Sequence, residues 1–143
     1  MKWIHRFYLI LAISPIVLFT GCLHSQNTSI QKLGEYHGEI TQDEGRWGQP
    51  VIRVVFRSHE FGGNVCYDRG AALQELTNFK HLRELLFKVG CELNGDHMKE
   101  IAKLRELQVL QINVLEDTGL EQLAPLQSLH TMILSGLRLG TDS

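Results

Sequence analysis

The chain is poor in the features that would name a chemistry. It has no excess of basic charge: 14 Lys and Arg stand against 16 Asp and Glu, a formal balance of −2. That leaves no electrostatic footprint for a nucleic acid. Aromatic residues are scarce, at 8%, and no low-complexity tract occurs. Three cysteines, an odd number, leave at least one without an internal partner. No C-x-x-C, P-loop, G-x-S-x-G or dinucleotide fingerprint is present, which removes the enzyme classes that carry those motifs. His59-Glu60 opens like H-E-x-x-H, but Gly63 stands where the second His is required. His97 and His130 have no ligand spacing, and His81 falls in a helix-to-strand turn, so no metal site is expected. Asp68, Asp96, Glu116 and Asp117 read as caps and solvated loops rather than as an acid–base pair. The expectation is a protein that is not an enzyme and needs no cofactor.

A membrane-spanning run is also lacking. The uncharged stretch Phe7 to Gly21 has 15 residues, short of the roughly 20 that cross a bilayer, and Pro15 interrupts it. Lys2 and Arg6 precede it, which is the layout of a secretory signal. What remains is ample for one domain: 143 residues, 43% hydrophobic and 21% charged, are enough for a modest core and too few for two.

The uncharged stretch ends in "LFTGC", Leu18 to Cys22. That ending resembles the lipobox of bacterial lipoproteins. The resemblance implies cleavage before Cys22 and a diacylglycerol thioether on its sulfur, with palmitate-like chains holding the protein on the exported side of the envelope. Several acyl chains anchor a soluble domain durably where one would not. An ordinary cleaved signal and an uncleaved anchor are the other readings of the same residues. Loss of residues 1–21 removes Lys2 and Arg6 and leaves 12 basic residues against 16 acidic, a balance of −4.

Past the signal, residues 22–29 are polar and pattern-free and are expected to form a flexible tether. Residues 30–50 are expected to form an N-terminal cap: Ile30, Leu33 and Tyr36 line one helical face, and the glycines Gly34, Gly38, Gly45 and Gly48 break the chain into turns. "VIRVVF", Val51 to Phe56, is a β-branched run with strand character. Residues 51–143 then hold three segments with one spacing. Apolar residues occupy Leu73, Leu76, Phe79, Leu82, Leu85 and Phe87; then Met98, Ile101, Leu104, Leu107, Leu110 and Ile112; then Leu120, Leu123, Leu126, Leu129, Met132 and Leu134. The segments are shifted by 25 and then 22 residues. Steps of three are expected from a short helical or 3₁₀ stretch and its turn, and the closing step of two from a strand.

This arrangement resembles leucine-rich repeats, whose core reads L-x-x-L-x-L. "LRELLF", "LQVLQI" and "LHTMIL" are the clear copies, with "VIRVVF" a degenerate first one. The starts "GDHM" and "DTGL" resemble the D-x-G-L helix starts of a bacterial subtype, with Asp96 and Asp117 as expected helix caps. Gly90, Leu115 and Leu137 stand where the family's asparagine is expected, so no asparagine ladder follows. The resemblance implies an α/β fold: a short solenoid with parallel strands on the concave side, short helices on the convex side and an N-terminal cap.

In that fold the strand residues between the buried positions face outward. They are Arg53, Val55 and Arg57; Glu84, Leu86 and Lys88; Val109, Gln111 and Asn113; Thr131, Ile133 and Ser135. The middle row, Val55, Leu86, Gln111 and Ile133, is mostly apolar, and Arg57 and Lys88 flank it. An apolar centre with a charged rim is expected to bind a protein partner, although β-branched and Leu side chains also favour strands with no partner. Self-association through an open last strand near Met132 to Leu139 is the competing expectation. Cys66 and Cys91 both follow a strand, so in an exported protein either a disulfide between them or two small buried thiols is expected.

Overall fold

The structure, a computed structural model, describes residues 16–57, 69–88, 93–113 and 119–135. The elements in chain order are α1 (Ile16–Glu35), β1 (Gly38–Gln42), β2 (Val51–Phe56), α2 (Arg69–Leu76), β3 (Glu84–Phe87), α3 (Gly95–Ile101), β4 (Val109–Asn113), a 3₁₀ turn over Leu120–Leu123 and β5 (Thr131–Ser135). The five strands form one sheet in the order β1-β2-β3-β4-β5. β1 runs antiparallel to β2, and each later strand is parallel to the one before it. The chain is therefore an α/β protein with a mostly parallel sheet. The helices keep the same order: α1 packs on α2, α2 on α3, and α3 on the 3₁₀ turn.

The steps of three have a direct backbone cause. Phe79 N–H donates to Leu76 O at 3.0 Å and Leu82 N–H to Phe79 O at 3.1 Å. Leu104 donates to Ile101 and Leu107 to Leu104, both at 3.0 Å; Leu126 donates to Leu123 at 2.9 Å and Leu129 to Leu126 at 3.1 Å. In each segment the two middle steps are closed by an i+3 to i bond, the 3₁₀ pattern that eclipses side chains three apart and so aims them the same way. The chain then extends into a strand, where alternate side chains share a face. In-register pairs link Val54 to Leu85, Leu85 to Leu110, and Leu110 to Met132. Where the strands begin, Arg83 O accepts from both Gln108 and Val109 N–H, and Gln108 O accepts from both His130 and Thr131 N–H. These bonds recur at the same shifts of 25 and 22 residues as the apolar pattern.

Leu73, Leu76, Met98 and Ile101 from the helices meet Val54, Leu85, Leu110 and Ile112 from the strands in one core. Val51, Val54 and Phe56 join that core as expected of β2, and Phe56 stacks on Phe87 with ring centroids 4.9 Å apart. Among the described residues no strand covers the far end of the row. Leu85 and Leu110 are fully buried, but Met132 on β5 is 46% exposed, because β5 has a neighbour on one side only among the described residues.

Two local expectations are corrected. First, residues 22–29 are not an irregular tether separate from a cap beginning at residue 30: a single helix, α1, runs across that boundary. Tertiary bonds hold its second half. Ser29 is buried; its hydroxyl donates to Glu75 Oε2 at 2.7 Å and accepts from Asn78 Nδ2 at 2.9 Å, while Lys32 Nζ pairs with Glu75 Oε1. The Lys32 and Ser29 donors hold the Glu75 carboxyl below its ordinary pKa, and Glu75 raises that of Lys32. Leu33 enters the core, and Ile30 and Tyr36 pack against it, as the helical face predicts.

Second, Asp96 does not cap α3. Asn94 does: its side chain accepts from Asp96 and His97 N–H, both at 3.1 Å, and the His97 ring accepts from Asn94 N–H, completing a capping box. Asp96 sits in the first turn and pairs with Lys99 at 2.8 Å. The 3₁₀ turn starts from Gly119 at φ +95° with no side-chain cap, and Asp117 lies outside the described residues.

Candidate protein-binding face

The strand residues Arg53, Val55, Glu84, Leu86, Val109, Gln111, Asn113, Thr131, Ile133 and Ser135 alternate along the sheet with the core-facing ones, while Arg57 and Lys88 lie just past the ends of β2 and β3. Three rows cross the strands. Thr41, Arg53, Glu84, Val109 and Thr131 are in register, as are Glu39, Val55, Leu86, Gln111 and Ile133, and Asn113 pairs with Ser135 at the far end. Parallel pairing brings residues far apart in sequence side by side on this face, because alternate strand residues point to one side.

The polarity of the face is not the one expected. Val55 is only 6% exposed and Leu86 only 8%, so the centre of the middle row is closed to water. Arg57, expected to flank an open patch, has Nε 2.8 Å from Glu39 Oε1, and Arg53 Nε lies 3.3 Å from Glu84 Oε2. Both pairs are solvent-exposed and contribute little to stability, of order 0–1 kcal/mol, but they occupy the guanidinium groups. Glu39 was not foreseen because β1 was read as part of a run of turns; its only cue is the short alternation in "GEITQ". Lys88 remains exposed.

The open part of the face lies at β4 and β5. Gln111 is half-buried, and Ile133 is 45% exposed. Met132, on the opposite side of the same strand, is open to a similar extent, so β5 presents apolar side chains on both faces. Asn113 Oδ1 is buried with no hydrogen-bond partner among the described residues, an uncommon state for a polar atom. Ser135 Oγ donates to Ile112 O at 3.3 Å beside it.

Three histidines take structural positions: His81 Nδ1 lies 3.1 Å from Glu106 Oε2, His97 belongs to the capping box, and His130 Nδ1 lies 3.0 Å from Thr131 Oγ1, while His59 lies outside the described residues. Among the described residues no group of three His, Cys, Asp or Glu could hold a metal ion, and no helix is long and apolar enough to cross a membrane. Cys66 and Cys91 lie outside the described residues, and Cys22 falls within α1. No protein-family model, curated protein or solved structure matches the chain.

Proposed function

We propose that this chain is a small non-catalytic lipoprotein of the bacterial envelope, a short leucine-rich repeat solenoid anchored through Cys22 that binds a protein partner. The turn and strand-start bonds that recur at the spacing of the leucine pattern support the repeat reading. The working surface is the β4–β5 end of the strand face, with Ile133 and Gln111 at its centre and Asn113 at its rim. One contrast carries this choice: Ile133 is 45% exposed while Val55 and Leu86, in the same row, are buried. Buried side chains serve packing, and an exposed apolar one near Asn113, whose Oδ1 has no partner among the described residues, suits a partner.

A second reading has its own support. β5, "TMILS", contains no charge and no proline, and it has one strand neighbour among the described residues. Edges that must stay single are usually blunted by charge or a bulge. β1, at the other edge, is blunted in that way by Glu39 and by a register shift between Thr41 and Gln42. The bare edge of β5 suits pairing with a second copy.

Photo-crosslinking in intact envelopes distinguishes these readings. With the crosslinker at position 133, the proposal expects an adduct to a different protein, and with it at position 55 no adduct. A homodimer adduct alone at 133 favours self-association. Adducts at 55 and none at 133 would overturn the assignment of the surface.

A further inference from the structure

Trp47 is the most exposed large apolar side chain among the described residues, at 76%. It sits in the loop between β1 and β2, residues 43–50, whose shape is fixed by internal bonds. Asp43 N–H donates to Pro50 O at 3.0 Å, Asp43 Oδ1 accepts from Gly45 N–H at 3.1 Å, and Gln49 N–H donates to Arg46 O at 3.0 Å. A single exposed aromatic residue is ordinary on its own. Its placement is not. Gln49 O accepts from Gln42 Nε2 at 2.9 Å and from Gln26 Nε2 of α1 at 3.1 Å. Gln26 stands four residues after Cys22 in the same helix, about one turn or ~6 Å along the axis.

One helix and its bonds to the loop and to α2 join these points. α1 is continuous from Cys22 to Glu35, and its second half is bonded to α2 through Ser29, Lys32, Asn78 and Glu75. A lipid on Cys22 therefore brings the bilayer surface to the end of the molecule that displays Trp47. An indole is apolar in body and carries one N–H donor, so it prefers the headgroup layer to either water or hydrocarbon. The loop carries Asp43, Glu44 and Arg46, two acids against one base, so it suits a zwitterionic headgroup better than an anionic one.

We propose that Trp47 seats the β1–β2 loop in the interfacial layer of the membrane, as a second contact that fixes the domain's orientation about its lipid anchor. The inference rests on the lipoprotein reading of Cys22. The sequence makes it directly readable, since Trp3 and Trp47 are its two tryptophans.

The test uses the full chain carrying Trp3→Phe, expressed in a lipoprotein-processing host and reconstituted into phosphatidylcholine vesicles with or without brominated acyl chains. Mass analysis of the N-terminal peptide reports whether Cys22 carries lipid. On lipidated protein, Trp47 emission is expected to shift to the blue relative to the Cys22→Ser chain in buffer, to lose intensity to brominated lipid, and to resist acrylamide. Lipidated protein whose Trp47 emits and quenches as it does in buffer would overturn the second contact and leave the anchor standing. Protein with no lipid on Cys22 would overturn both.

Discussion

At the scale of single residues, the decisive features are those that spacing does not encode. Asp96 is the cap that the sequence suggests for α3; the backbone uses Asn94, whose side chain accepts from two N–H groups while the His97 ring accepts from the Asn94 N–H. Asn94→Ala should destabilise the protein by about 1 kcal/mol, measured by denaturant unfolding, whereas Asp96→Ala removes only an exposed pair and should cost a small fraction of that. Gly119 is a second such case. Its φ is +95°, and a Cβ there would lie 2.6 Å from the Gly95 Cα, where α3 and the 3₁₀ turn approach each other. Gly119→Ala should cost more than about 1 kcal/mol, since both the conformation and the space exclude it. The sequence marks "DTGL" as a helix start and gives no sign of the close approach that requires Gly119.

At the scale of elements, the leucine stripe was legible and the polar joints were not. Ile30, Leu33 and Tyr36 revealed the buried face of α1 by their spacing. The preceding polar residues gave no sign of being helical, because what holds them is a partner 46 residues away: Ser29 on Glu75. That joint sets a pH dependence. Glu75 has a lowered pKa, so its contribution is present above the ordinary glutamate value of about 4.3 and is lost as pH falls through the lowered one. Lys32 has a raised pKa, so its contribution holds below the ordinary lysine value of about 10.4 and is lost as pH rises through the raised one. Glu75→Gln should loosen α1 from α2, seen as faster hydrogen exchange at residues 26–33 at neutral pH. It should also remove most of the difference in protection factor, with intrinsic exchange divided out, between neutral pH and pH below the lowered Glu75 pKa. β1 was missed for a related reason: five residues of weak alternation are too few to read, and the antiparallel pairing with β2 is what makes them a strand.

At the scale of the whole molecule, periodicity foretold the parallel order of strands and the shared interior, but not which end of the sheet is open. The Arg53–Glu84 pair joins positions that the spacing already aligns, whereas the Arg57–Glu39 pair depends on β1, which it does not reveal, and the burial of Val55 and Leu86 leaves no mark in the pattern. Because Leu86 is buried, Leu86→Asp is a test of folding rather than of binding, and Ile133→Asp is the informative change. Leu110→Ala, at the centre of the core, should cost about 2–5 kcal/mol. Met132→Ala, the in-register position on β5, should cost a fraction of that, because half of its surface already meets water. Equal losses at the two positions would mean that β5 is covered as fully as β4.

Residue-level hydrogen exchange on the full chain tests most directly whether the sheet is closed through β3 and β4 and open at β5. Amides of β3 and β4 bonded to a neighbouring strand should exchange slowest, near the rate of global unfolding, and those of β5 bonded to β4 markedly faster. Protection of β5 equal to that of β4 in the isolated protein would contradict the account, since the surface assigned to a partner would already be filled.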